Sequence, residues 1–298
     1  MKLLLGSSNL DIGNKISEIL NCEIIDANIT RFADGESRVE INDKINPNES
    51  IFIIQSTNKD EYIIEFLLIV DALKRLGSKN IHAIIPYFGY SRQDRRVHIG
   101  SPISAKVIAN IIQRDILTVT TIDMHFAQLE GFFDIPVYNL LPYDIFIDYI
   151  HQNSIQNNSV IVSPDLGGLK KSKEFAKKLG LETVIINKHR SNIGSSEITD
   201  VVGNVSGKNC IILDDIVCGG GTLINAAQRL KEMGALSVYA LVTHGVFSGQ
   251  SKEKIEKSSI DKIIVTDSIK NDIKYDKIEF VSVAETIAQK IKTLDDYK

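Results

Sequence analysis

Tryptophan is absent from the 298-residue chain, and aromatic residues make up only 7% of it. Stacking platforms for single strands of nucleic acid need such rings, so that class of binder is disfavoured. Cysteine is scarce. Cys22, Cys210 and Cys218 are odd in number, widely spaced and form no C-x-x-C, which supports neither a disulfide framework nor a zinc site. Positive charge is not in excess either: 34 Lys plus Arg against 38 Asp plus Glu leave a net charge of -4. That balance argues against coating nucleic acid by bulk electrostatics, while a local basic site stays open. No apolar stretch approaches the ~20 residues of a membrane helix. The apolar run Met1–Gly6 is too short for a secretory signal and no cleavage pattern follows it. The expectation is a cytoplasmic protein with no nucleic-acid and no membrane partner. What is present is ordinary, 43% hydrophobic and 24% charged, which excludes a disordered chain and a collagen. The length is about twice the mode for one domain, so two domains are expected.

Short β-branched runs alternate with helical patterns. Ile51–Gln55, Ile81–Tyr87, Leu117–Ile122, Val160–Val162, Thr183–Ile186, Cys210–Leu213 and Val238–Val242 read as buried strands. Glu61–Leu76, Ser104–Gln113, Leu169–Leu179 and Leu223–Met233 read as helices between them. The fold class is therefore α/β with mainly parallel sheets flanked by helices, and sites are expected at the carboxyl ends of strands. The halves also align without a gap, pairing Leu73 with Leu230, Gly77 with Gly234, Ala83 with Ala240 and Ser91 with Ser248. This fits two similar domains, 1–143 and 144–298, joined within the Asn-, Gln- and Ser-rich stretch Pro142–Asn158, with the last helix free to pack on the first domain.

One difference between the halves carries chemistry. After the strand Cys210–Leu213 come Asp214-Asp215-Ile216-Val217-Cys218-Gly219-Gly220-Gly221-Thr222 and then a helix, whereas the first half has Gln55-Ser56-Thr57-Asn58. Gly219, Gly220 and Gly221 let the backbone turn its N–H groups towards an anion, and Thr222 adds a hydroxyl at the helix start. Asp214 and Asp215 suit the vicinal hydroxyls of a sugar or the shell of a magnesium ion. The alternative is a glycine-rich turn capped by surface acids. A Walker loop is excluded, because the G-K-[ST] ending is missing. Arg92, Arg95 and Arg96 beside Gln93 suit a polyphosphate clamp, or form a solvated, self-paired charge run. His125 after a strand and Asp165 before Gly167-Gly168 are each open to a structural reading: a satisfied histidine and a helix cap. Phe32, Asp34 and Glu36 form a hairpin-like segment that could face a purine or could simply be a turn over a buried ring. Lys188-His189-Arg190 opens the polar, aperiodic stretch Ser191–Ser206, which reads as a mobile loop carrying two cations.

The Asp214–Thr222 segment resembles the phosphoribosyl-diphosphate loop of the phosphoribosyltransferase fold. Further segments narrow the resemblance to the ribose-phosphate pyrophosphokinase family, also called phosphoribosyl pyrophosphate synthetase. Phe32-Ala33-Asp34-Gly35-Glu36 is similar to its F-x-D-G-E segment, and Pro86–Asp94 to its PYF-x-Y-x-RQD segment. Asp123-Met124-His125 with Gly131–Pro136 resembles its histidine signature, and Ser163–Gly168 completes the set in family order. The resemblance implies two tandem phosphoribosyltransferase-like domains and transfer of the diphosphoryl group of ATP to ribose 5-phosphate. It implies ATP contacts from Phe32, Asp34, Glu36, Arg92, Gln93 and His125, and ribose 5-phosphate contacts from Asp214, Asp215, Cys218, Gly219, Gly220, Gly221 and Thr222. It further implies magnesium (Mg2+) near His125 and Asp165, catalytic cations at Lys188 and Arg190, and a homo-oligomer, dimer to hexamer, whose ATP site lies near a subunit interface. Lys170-Lys171 and Lys188–Asn192 look closer to archaeal-type members.

Overall fold

Continuous β-branched runs fold here as parallel strands, most of them buried on both faces. The computed structural model describes residues 1–190, 196–272 and 274–296; of residues 188–190 and 196–199 only the backbone is described. The chain divides into two compact units. One comprises Met1–Leu141, Ser268–Lys270 and Ser282–Lys298, the other Pro142–Asp267 and Asn271–Val281.

In the first unit β1 (Lys2–Leu5) leads to α1 (Leu10–Leu20), then to an antiparallel hairpin of β2 (Ala27–Arg31) and β3 (Ser37–Ile41). The chain continues through β4 (Ser50–Ile54), α2 (Asp60–Arg75), β5 (Asn80–Ile85), α3 (Ser104–Ile112), β6 (Thr118–Ile122) and β7 (Val137–Leu140). The five remaining strands form a parallel sheet in the order β1-β4-β5-β6-β7.

The second unit opens with α4 (Tyr143–Gln152), β8 (Ser159–Ser163), α5 (Leu169–Leu179), β9 (Glu182–Arg190) and β10 (Ser196–Val202). It continues with β11 (Asn209–Val217), α6 (Gly221–Glu232), β12 (Ser237–Gly245), α7 (Ser251–Glu256), β13 (Lys262–Thr266) and β14 (Ile278–Val281). Its sheet order is β10-β9-β8-β11-β12-β13-β14, parallel except for the β9–β10 pair. The last helix, α8 (Ala284–Asp296), belongs to the first unit and lies against α1.

The two sheets share one plan. The run β8-β11-β12-β13-β14 repeats β1-β4-β5-β6-β7, with α5 and α6 in the places of α1 and α2, and a β-pair inserted after the first helix each time. The internal alignment holds at the level of backbone conformation. Gly77 and Gly234 each follow the long helix at φ near +90°, where a side chain would be strained.

Within the Pro142–Asn158 junction Tyr143, Phe146 and Ile150 recur at helical spacing and bury one face of α4. Two expectations need correction. The stretch Ser191–Ser206 is not an irregular loop throughout, since β10 spans Ser196–Val202. Strand β9 runs to Arg190 and pairs with β10, and backbone pairing of this kind leaves no signature in composition; residues 191–195 lie outside the described residues. Finally, Asp214 and Asp215 lie inside β11 rather than at its end, because pairing with β12 continues to Val217↔Gly245.

Candidate active site

A mismatch of strand lengths carries the acid pair past the end of a neighbouring strand. Strand β11 pairs with β8 only as far as Ile212↔Val162, but with β12 through Val217↔Gly245. Asp214 and Asp215 therefore extend beyond the end of β8, on the side where the next loop carries Asp165. Burial above all, then the charge and hydrogen bond of Asp215, then the charge of Asp165, hold the Asp214 carboxyl well above the ordinary carboxylate range. The Asp215 backbone N–H donates to Asp214 Oδ1 at 3.0 Å and works the other way, as a smaller influence.

Past Val217 the chain turns into α6. Gly220 sits at φ +78°, a conformation that favours glycine, and no side chain caps the helix start. Added Cβ atoms at Gly219 and Gly221 would meet nothing within 4 Å. A glycine-lined turn with uncapped helix N–H groups is what an anion needs. A second loop braces the turn: Ser248 N donates to Cys218 O at 3.0 Å, and Cys218 Sγ lies 3.2 Å from Ser248 Oγ. Asp165 does two things at once. Its Oδ1 accepts the Gly168 N–H at 3.0 Å, which closes the turn ahead of α5 without capping the helix itself, and its charge still reaches Asp214.

In the first unit, Arg92 and Gln93 follow β5 while His125 follows β6, its neighbour in the sheet. The arginine segment is held from its start. Gly89 N donates to Thr57 Oγ1 at 2.8 Å, and Tyr90 Oη donates to Asp60 Oδ1 at 2.6 Å. Arg92, Arg95 and Arg96 are exposed, and Arg95 is 3.9 Å from Asp94. His125 is half-buried, edge-on to Phe126 at 4.5 Å between centroids. It is aimed by two preceding features: Asp123 in the left-handed region at φ +41°, and Met124 N donating to Asn139 Oδ1 at 2.9 Å.

Phe32 to Glu36 forms the tip of the β2–β3 hairpin. The ring is not buried: Phe32 is 51% exposed, with the Arg38 guanidinium 5.6 Å from its centroid. Asp34 Oδ1 accepts the Glu36 N–H at 3.1 Å and so helps close the turn. Lys188 and Arg190 end β9, and their side chains lie outside the described residues. Asn139 and Ser248 are braces that no motif announces; the only trace of Ser248 in the sequence is its alignment with Ser91.

Comparison with known proteins decides the family. Residues 1–115 match the N-terminal domain of ribose phosphate pyrophosphokinase, and residues 192–297 match the phosphoribosyl synthetase-associated domain. The chain is 42% identical over 296 residues to the ribose-phosphate pyrophosphokinase of Helicobacter hepaticus, covering 98% of this chain and 95% of that protein. The chain belongs to the ribose-phosphate pyrophosphokinase family. The Campylobacter jejuni pyrophosphokinase is also 42% identical, over 98% of this chain and 94% of its own length. A solved structure, the phosphoribosylpyrophosphate synthetase from Mycobacterium smegmatis, superposes with a TM-score of 0.91 at 28% identity, covering 100% of this chain and 99% of that one. Both units are thus phosphoribosyltransferase-like α/β domains in tandem. No helix among the described residues is long and apolar enough to cross a membrane.

The candidate site has the hard oxygen donors that magnesium prefers. Among the described residues no three His, Cys, Asp or Glu side chains form a preassembled cage. Magnesium commonly takes one or two carboxylates and fills its shell with waters and substrate phosphates. Asp165, Asp214 and Asp215 offer hard oxygens whose mutual repulsion a cation would relieve, so the donor set fits. His125 offers nitrogen, which magnesium takes less readily.

Proposed function

We propose that the protein transfers the β,γ-diphosphoryl group of ATP to the 1-hydroxyl of ribose 5-phosphate. The oxygen on C1 bonds to the β-phosphorus, the bond from that phosphorus to the bridging α–β oxygen breaks, and the hydroxyl proton is lost to solvent. The products are 5-phosphoribosyl 1-diphosphate and AMP. Full-length identity to named ribose-phosphate pyrophosphokinases carries this reading.

The roles of individual residues are supported by local chemistry. Asp214 and Asp215 would accept the ribose hydroxyls, while the turn from Cys218 through Gly219, Gly220 and Gly221 to Thr222 would hold the 5-phosphate by backbone N–H groups and one hydroxyl. The first domain, 1–143, would supply ATP contacts from Arg92, Gln93 and His125, with Phe32, Asp34 and Glu36 on the purine; the second, 144–298, would supply the sugar-phosphate loop and the lid bearing Lys188 and Arg190. Magnesium, with Asp165 and His125 nearby, would offset phosphate charge when bound. Catalysis is then positioning plus electrostatics, with no obligatory general base among these residues. The exposed hairpin tip and the family resemblance favour a homo-oligomer, dimer to hexamer, whose ATP site lies near a subunit interface. A cytoplasmic setting follows from the same reading. The archaeal-type likeness rests on Lys170-Lys171 and Lys188–Asn192 alone, and the relatives compared above are bacterial.

Incubation with ribose 5-phosphate, ATP and magnesium is expected to release AMP, and to need all three components. A catalytically silent regulatory subunit would release none. A base-transferring enzyme would instead consume finished phosphoribosyl diphosphate, and either result sinks the proposal.

Asp165 separates turn closure from charge. Asp165→Asn keeps an oxygen for the Gly168 N–H, so the melting temperature is expected to hold. The magnesium concentration for half-maximal rate should rise about tenfold or more if the carboxylate serves the ion. Unchanged magnesium dependence would leave Asp165 with the turn ahead of α5 only.

A further inference from the structure

Gln93 is pinned at both ends. Its backbone N–H donates to Tyr90 O at 2.9 Å, and its carbonyl accepts the Ala105 N–H at 3.2 Å. At the far end of the side chain, Ser104 Oγ donates to Gln93 Oε1 at 2.7 Å. Ser104 is the first residue of α3, and no side chain caps that helix, so the serine hydroxyl is directed to the glutamine rather than to its own helix.

A carboxamide has an acceptor end and a donor end. With Oε1 engaged by Ser104, Nε2 is the end of the amide left to donate, and among the described residues it has no hydrogen-bond partner. Gln93 is exposed, and a long exposed side chain ordinarily loses rotamer freedom when a ligand fixes it. Here the hydrogen bond from Ser104 already restricts that freedom and orients the amide.

We propose that Ser104 is a positioning residue that fixes Gln93 as a hydrogen-bond donor to the nucleotide. Gln93 then meets an acceptor, a phosphate oxygen or a ring nitrogen, and not the exocyclic amino hydrogens. The proposal rests on the ATP-side reading of Gln93 and adds to it the group that orients the amide. Glu36 and Asp34, as carboxylates, remain the acceptors available for amino hydrogens.

The test is a double-mutant cycle on the full-length enzyme with ATP and ribose 5-phosphate as substrates. Ser104→Ala is expected to raise KM for ATP about three- to tenfold, the scale of one hydrogen bond plus side-chain ordering. The turnover number and KM for ribose 5-phosphate should stay within about twofold, and Ser104→Thr, which keeps the hydroxyl, should restore ATP binding. In a Gln93→Ala background, Ser104→Ala should add nothing. A rise in KM of the same size in both backgrounds would mean that the serine serves the helix and not the glutamine, and would overturn the proposal. So would an unchanged KM in Ser104→Ala alone. If Gln93→Ala itself leaves KM for ATP unchanged, the ATP-side reading of Gln93 fails first, and the positioning role falls with it.

Discussion

Alanine at Lys188 or at Arg190 is expected to lower turnover by about 10²–10³-fold, the loss seen when one preorganised oxyanion donor is removed. The reaction assigned here moves a diphosphoryl group between two oxygens, and negative charge grows on the bridging oxygen that leaves with AMP. A chain of net charge -4 must place cations locally to meet that charge. The sequence concentrates them at Arg92–Arg96 and at Lys188–Arg190. The arginine segment follows β5 in the first unit, and its proposed ATP contacts suit it to ground-state binding of the nucleotide. Lys188 and Arg190 end β9 in the other unit, next to the pairing with β10. Cations that act mainly in the transition state lower the turnover number with little change in KM, whereas binding cations raise KM. Steady-state kinetics of Lys188→Ala and Arg190→Ala, with melting temperatures as a folding control, separate these cases. Near-wild-type turnover in both variants would remove the lid from the mechanism.

What the sequence made legible follows from how local each feature is. Helix α5 was readable to the residue: Ser172, Phe175, Ala176 and Leu179 recur at helical spacing on the buried side, and lysines fill the rest. The glycine turn before α6 was readable because backbone conformation selects glycine within a few residues. Pairing between distant segments was not. The extension of β11 past the acid pair depends on β12, and the order in β10 depends on β9. The braces were hidden for the same reason: Asn139 acts on Met124 across 15 residues and Ser248 on Cys218 across 30. The first unit adds a further case. In place of the acid pair and glycines it carries Gln55, whose Oε1 accepts the Ser8 N–H at 3.0 Å and whose Nε2 donates to the buried Glu65 at 2.8 Å. The equivalent strand end is thus filled by its own side chains. Among the described residues the second unit has an uncapped glycine turn before α6 where the first unit has Gln55-Ser56-Thr57-Asn58.

Asp214→Asn is expected to weaken ribose 5-phosphate binding and, in the absence of ligand, to stabilise the fold. Both effects come from one cause. The folded state holds the Asp214 carboxyl well above its ordinary value of 3.8, by burial first and by Asp215 and Asp165 next. Between the ordinary value and the raised one, the folded protein binds more protons than the unfolded chain, so stability falls as pH rises through that window. Above it the full penalty of a crowded, buried carboxylate remains. Asparagine keeps the shape and one acceptor oxygen but cannot ionise, so the variant should melt a few degrees above wild type at about pH 8 and converge with it at about pH 4. Magnesium should raise the melting temperature of the wild type more than that of the variant, since a cation relieves the repulsion that the variant lacks, and ribose 5-phosphate should do the same by donating its hydroxyls to a carboxylate that the variant lacks. KM for ribose 5-phosphate should rise about tenfold or more, the cost of losing charge-assisted bonds to the sugar hydroxyls. A stabilised protein that binds its sugar poorly is the pattern of a site whose charge is kept for function at the expense of folding. Parallel melting curves for the two proteins across this pH range would show that Asp214 carries no such strain, and an unchanged KM would take it out of the sugar site.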